Sequence, residues 1–455
     1  MIRRTAVVCL ATASMVLTLG PALAVTPGVS VYVFPTESLK AASNAALPNS
    51  VANDLGINIG GMGSDLYRVP GTVNEYWAVT DRGPNNDNTL ADGTAATGFP
   101  VPDFSPMIVR FKMNGATPQI LERMAIQSSK GVGTTGLPNV PVFDGPPSTV
   151  TGGAGKYNVN GLDAEGIVRT KSGDFWLVDE YAPSVVQVGA DGVIKRRLVP
   201  KGWTGVGTSY PTVDSLPGIF LKRKVNRGFE GVALTPSEKY LYVGLQSPLL
   251  NPTKAIGDAS QQTRILKLDI ESGAVVGEWV YKFDQVNTID SSTTKATELK
   301  LSAMVALDDD TLLVQERTDN AFIVTRVKLA PGQSILGSAY DNPSTTPSLE
   351  ALSATDSTLA SLTPAKTVIF RSISVPEMPK KVEGMVVENA NTLGFMNDND
   401  FSFSYDAKTN KVTAGTTPTQ FLYVTLPQAL SVTPDSTLKA LKAAVKPVAS
   451  SKPKS

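Results

Sequence analysis

Histidine is missing from all 455 residues. Its absence excludes Ser-His-Asp triads, histidine-based phosphatase chemistry and His-ligated zinc in one step. Any catalysis must use carboxylates, Arg, Lys, Tyr, Ser/Thr or a metal held by oxygen. Cysteine is almost missing too. The one thiol, Cys9, lies in a segment expected to be cleaved, so the mature chain has neither disulfides nor thiolate chemistry. That suits a periplasmic or extracellular setting. There is no surplus of charge, with 41 basic and 41 acidic side chains. Losing Arg3 and Arg4 leaves 39 against 41, a balance of −2. Nucleic acid, which demands a concentrated cationic surface, is not an expected partner. No membrane span is expected either, because the apolar stretch between Thr5 and Leu19 is short and rich in Ala and Thr.

What is present begins with an export pattern. Arg3 and Arg4, an apolar run and the small-residue ending Ala22-Leu23-Ala24 predict a signal peptide over 1–24 and cleavage near Val25. The product is expected to be secreted or periplasmic, and a monomer. At the other end, residues 431–455 form a tail whose stretch "STLKALKAAVKPVASSKPKS" carries five lysines and no acid, expected to be a solvated, disordered terminus. Residues 25–430 lie between and are treated as one domain.

That domain repeats. "GSDLYRVPGTVNEYWAVTDRG" (63–83), "DAEGIVRTKSGDFWLVDEY" (163–181), "GFEGVALTPSEKYLYVGLQS" (228–247), "LSAMVALDDDTLLVQERT" (301–318) and "KVEGMVVENANTLGFMNDND" (381–400) share one layout. Each has a polar entry, an apolar alternation, a turn, a second apolar strand and a polar exit. Two-residue alternation with Gly, Asp, Pro or Asn between the runs is the signature of hairpins. Further strand pairs around Asp-Gly, Asn-Gly or Ser-Gly turns follow, as in 107–126, 184–199 and 264–283. The unit is thus four antiparallel strands, and the fold class predicted is all-β, a β-propeller. Five repeats are clear and five to seven blades are expected, with room for one more between 126 and 163. "SVYVFP" (30–35) is placed to close the ring by pairing with the last blade.

In such a ring the first strand of each blade lines the axis. Glu165, Glu230 and Glu383 then occupy equivalent places around it, while the polar exits are expected at the opposite end or in the neighbouring groove. Calcium needs six to eight hard oxygens, so the expected ligands are Glu165, Asp179, Glu180, Glu230, Glu383, Asp398 and Asp400, with the Asn85–Asn88 run as a further cluster. The alternative is structural: a Glu at a strand start caps backbone donors of the next blade, and its Gly permits close approach. Asp308-Asp309-Asp310 is expected to be a solvated hairpin tip. "GVGTTG" (131–136) matches a dinucleotide pattern, but no strand precedes it and no helix follows. No G-x-S-x-G elbow exists, so a serine esterase is not supported.

The motifs "DAEGI…FWLVDEYAPS", "NRGFEGVALTPSEKYLYVGLQSPL" and "KVEGMVV…NDNDF" resemble the bacterial phytase-like family, described as having esterase-like activity of phytase, over Gly60 to Phe403. The resemblance implies a secreted propeller that hydrolyses phosphoesters, by relation to calcium-dependent propeller phytases. A small-molecule phosphoester would be the partner. Phosphate in an acidic mouth needs an intervening cation or arginines. Calcium is the expected cofactor, with Arg82 and Arg227 as candidate catalytic cations beside Arg317, and Glu165 or Glu230 as base. The fourth repeat departs from the pattern, reading Ser302-Ala303 where a glutamate is expected. The competing class is a non-catalytic propeller that binds a carbohydrate, peptide or envelope partner around a structural ion.

Overall fold

Five four-stranded antiparallel units follow one another along the chain in the computed structural model, which describes residues 28–47, 51–115 and 117–430. The expected signal peptide and lysine-rich tail lie outside the described residues. Blade 1 is built from Asp65–Arg68, Glu75–Val79, Met107–Asn114 and Thr117–Ala125. Blade 2 uses Ala164–Arg169, Phe175–Asp179, Ser184–Val188 and Ile194–Pro200, with Thr212–Leu216 added in parallel at its outer edge. Blade 3 uses Phe229–Leu234, Tyr240–Leu245, Gln262–Asp269 and Val275–Lys282. Blade 4 uses Lys300–Ala306, Thr311–Arg317, Phe322–Lys328 and Lys366–Arg371.

Blade 5 is assembled from both chain ends. Val382–Asn389, Thr392–Asn397 and Gln420–Thr425 are joined at the outer edge by Val29–Val33, in register with Val31 opposite Leu422. The ring therefore closes as the SVYVFP segment predicts, and no blade is left to be tied by its own terminus alone. Each first strand lies against the first strand of the next blade, and Val382–Asn389 returns to Asp65–Arg68. The count is five. The stretch from 126 to 163 is not a sixth blade. It holds a two-stranded pair and one strand of a small side sheet that also takes in Asn86–Thr89 and Ala95–Gly98. Its Pro, Gly and Thr content offers no sustained alternation for longer pairing.

The core sits between blades. Strands there are buried on both faces, and aromatic side chains bridge neighbours. Trp77 meets Phe175 edge-on at 4.9 Å between blades 1 and 2, Phe322 meets Phe395 at 5.0 Å between blades 4 and 5, and Tyr76 meets Phe421 at 5.0 Å across the closure. Ring pairs of this geometry add to the area they bury. Glycines after the glutamates let the inner strands crowd. A Cβ on Gly166 would stand 2.8 Å from the Glu230 carbonyl oxygen and 2.6 Å from Val178 Cγ2. The Asp308 turn is a hairpin tip as expected, its carboxylate accepting from Asp310 N–H at 2.8 Å and from Thr311 N–H.

Candidate active site at the acidic mouth of the channel

Glu165, Glu230 and Glu383 owe their direction to a shared backbone irregularity. Pairing slips by one residue between Ala164 and Gly166, between Phe229 and Gly231, and between Val382 and Gly384. Each glutamate is thus the extra residue of a β-bulge, and a bulge re-aims its side chain out of the strand plane. The three carboxylates come within 4.8 Å of one another. Blade 4 has the same slip, between Leu301 and Met304, but offers Ser302 there.

Strand direction corrects the expected position of the polar exits. The second strand runs antiparallel to the first, so it ends where the first begins, with Asp179 opposite Ala164 and Asn397 opposite Val382. The exits lie at the same mouth as the glutamates, not at the opposite end. One residue beyond the partners of Ala164, Phe229, Leu301 and Val382, blades 2, 3, 4 and 5 present Glu180, Gln246, Arg317 and Asp398, and blade 1 adds Asp81 and Arg82. All six line the mouth together with the three glutamates. Alternation decides which acid of each exit takes part, because adjacent strand residues face opposite ways. Glu180 turns in and Asp179 turns out. Asp179, expected among the ligands, is fully buried in an ion pair with Arg197 and accepts hydrogen bonds from Ser184 Oγ at 2.8 Å and Asp163 N–H at 2.9 Å. Asn86–Thr89 is likewise drawn away into the side sheet, and only Asn85 of that run reaches the mouth, where it accepts from Arg82 at 3.2 Å.

Two further acids and two lysines join that single-repeat inspection passes over. Asp163, Lys300 and Lys381 each stand two residues before Glu165, Ser302 and Glu383, so aligning D-A-E-G, K-L-S-A and K-V-E-G would have exposed them. Asp81 stands directly before Arg82 at the exit of the first repeat. The carboxylates fall into three clusters whose oxygens lie within 4.8 Å: Asp163/Glu165/Glu180, Glu165/Glu230/Glu383 and Asp81/Asp398/Asp400.

The clusters differ in how their charge is met. Glu230 is saturated: Oε1 accepts from Arg317 at 3.0 Å and Ser302 at 3.1 Å, and Oε2 accepts from Gln246. Glu383 is bonded to the same Arg317. Asp400 is bonded to Lys381, while Asp81 and Asp398 accept backbone N–H groups of Gly83 and Asp400 at 2.9 and 2.8 Å. Asp163 takes Arg82 at 3.1 Å, an arginine also held by Asn226. Glu165 and Glu180 have no ion pair among the described residues, and Glu180, 3% exposed, keeps Oε1 buried without a hydrogen-bond partner. A buried acceptor left open costs free energy.

Protonation follows the crowding. Burial, then the Glu230 and Asp163 charges, pushes the Glu165 carboxyl well above the usual range. Glu180 is raised by burial and the same two neighbours. Burial raises Asp163 to about 6 against the pull of Arg82, Asp398 to about 6 with help from Asp400, and Glu383 to about 8 against the pull of Arg317. Arg227 donates to Ser247 Oγ at 3.1 Å and makes no ion pair among the described residues, and burial lowers its pKa. The cavity among these groups is small, about 100 Å³, a few water molecules' worth at about 30 Å³ each. The other end of the channel holds a larger cavity of about 760 Å³, lined by apolar side chains such as Leu66, Val168 and Met304 and by charged ones such as Arg68, Lys171 and Glu238. The acidic mouth, with no room for a bulky ligand, is the place where oxygen ligands converge.

A closed five-bladed propeller with a carboxylate-lined mouth is the class of protein these observations define. The chain belongs to the phytase-like family, whose description is esterase-like activity of phytase, and residues 57–401 match it. A curated relative, an uncharacterized secreted protein of Arthroderma benhamiae, is 27% identical over 275 residues, 49% of this chain and 51% of the relative. The chain thus spans about half the length of that relative. Among solved structures, a luciferin-regenerating enzyme is 10% identical over 82% of this chain and 95% of its own, at a TM-score of 0.34. Regucalcin of Agrobacterium tumefaciens, a calcium-binding protein, is 11% identical over 82% and 92%, at a TM-score of 0.32. The propeller assignment rests on the strand pairing, not on these distant likenesses. Among the described residues no helix is long and apolar enough to cross a membrane.

Proposed function

We propose that the chain is an exported phosphoester hydrolase whose acidic mouth takes a divalent cation, calcium by its all-oxygen donor set. The observation that carries this is the open Oε1 of buried Glu180 beside Glu165 and Asp163. Three buried carboxylates share one space with one arginine on one of them, and a cation supplies the missing charge and the missing partner. Asp163, Glu165 and Glu180 are the residues that would hold it. When bound, such an ion supplies Lewis-acid polarisation and neutralises phosphate charge. Arg227, half-buried and free of carboxylate partners among the described residues, is suited to receive phosphoryl oxygens. Arg82 holds Asp163 and Asn226 in place. Glu165, holding the ion through one oxygen, is suited to take a proton from water through the other. A mouth of about 100 Å³ admits a terminal phosphate end-on and leaves the rest of a phosphate monoester outside. Export belongs to the same reading, supported by the leader pattern and by a relative described as secreted.

One observation favours the competing reading of a binding module: Glu230, Glu383, Asp400 and Asp163 already have internal cations, and ion-pair networks imitate catalytic sites. The deciding experiment is hydrolysis of a chromogenic phosphate monoester with calcium or EDTA. Calcium-dependent turnover is expected, falling by two or more powers of ten in Glu165→Gln and much less in Glu230→Gln. No turnover with any divalent metal would leave the binding module.

A further inference from the structure

We infer that Arg317 is a built-in cation that occupies the Glu165/Glu230/Glu383 cluster and keeps a metal ion out of it. The inference rests on reading the mouth as a cation site and concerns where an ion is not held. Two departures in blade 4 coincide. Ser302 replaces the bulge glutamate, and Arg317 stands where blades 2, 3 and 5 place Glu180, Gln246 and Asp398. Each makes sense of the other. A serine leaves room on the axis and donates to Glu230 Oε1 at 3.1 Å. The guanidinium fills that room, with Nη2 bonded to Glu230 and Glu383 and Nη1 donating to Asp319 at 3.3 Å. Its side chain is 2% exposed, and the two glutamates raise its pKa against the effect of burial, so the charge is permanent. Placed in that way, one group does for two carboxylates what an ion would do for three. Glu165, the third member, is left to the Asp163/Glu165/Glu180 side, where Glu180 Oε1 stays open.

The test is calcium stoichiometry by titration calorimetry and elemental analysis on the full chain. Arg317→Met, which removes the charge and offers no hard ligand, should bind one calcium per chain more than wild type, and the added ion should disappear again in Arg317→Met/Glu383→Gln. Arg317→Lys should keep the wild-type number. A folded Arg317→Met chain with unchanged stoichiometry overturns the inference. If Arg317→Met folds only poorly, Glu383→Gln in the otherwise native chain decides: an unchanged number supports a resident arginine, and the loss of one ion overturns it. Wild type binding no calcium while Arg317→Met binds one would uphold the role of Arg317 and sink the cation reading of the native mouth.

Discussion

At the residue scale, neighbouring acids in one short motif have unlike fates. Asp179 and Glu180 are consecutive, yet one is locked to Arg197 between blades and the other faces the mouth with an open oxygen. Both partners of the Arg197–Asp179 pair are fully buried, so removing one strands a charge away from water. Asp179→Ala should therefore lower stability by about 3–5 kcal/mol, read by urea unfolding, with calcium affinity of the folded fraction unchanged. Loss of calcium binding without loss of stability would return Asp179 to the ligand set. The same reasoning separates Glu165 from Glu230. Glu230 has a donor on each oxygen from Arg317, Ser302 and Gln246, all of them side chains and none a backbone donor of the next blade.

At the element scale, the bulge and its glycine act together. The bulge turns the glutamate inward, and the glycine lets the next inner strand approach. In blade 3 a Cβ on Gly231 would press on the Ser302 carbonyl oxygen and come within 2.9 Å of Met304 Cγ. Gly231→Ala should cost about 1–3 kcal/mol, the usual range for overpacking, seen as a lower urea midpoint at unchanged slope. A neutral result would mean that the blades can part without penalty. Closure is the second element-scale device. Val29–Val33 supplies the outer strand of blade 5, and a propeller without it exposes the edge of Gln420–Thr425. A chain starting at Pro35 should melt markedly lower and aggregate on heating. Equal melting temperatures for the two chains would show that the strand adds nothing.

For the whole molecule, the mouth couples folding to pH. Burial raises the carboxyls of Asp163 and Asp398 to about 6 and that of Glu383 to about 8, above an unfolded value near 4. The folded chain then holds protons that the unfolded chain has released, so this contribution is full below about pH 4 and is lost as pH rises through 6 and on to 8. In EDTA the melting temperature should fall between pH 5 and pH 8.5, by on the order of a few kcal/mol in stability. Calcium prefers the ionised carboxylates, so saturating calcium should flatten the fall and raise the melting temperature most at the alkaline end. A melting temperature in EDTA that rises across that interval would contradict the burial of these groups.

Strand alternation, turn chemistry and the five-fold repeat are local patterns, legible from a single chain because side chains alternate every two residues whatever lies across from them. They were enough to reach a propeller, to anticipate the closing strand at 30–35 and to bring Glu165, Glu230 and Glu383 to one axis. The absence of histidine narrowed the chemistry just as firmly. Which groups then meet depends on pairing between segments far apart in the chain. Antiparallel return put the polar exits at the same mouth as the glutamates, the one-residue alternation sent Asp179 away from Glu180, and Arg317 reached Glu230 and Glu383 from another blade. A repeat read by itself shows that Ser302 lacks a carboxylate. Only the packed ring shows the arginine that stands in its place, because a charge buried among carboxylates is held by partners from three blades at once.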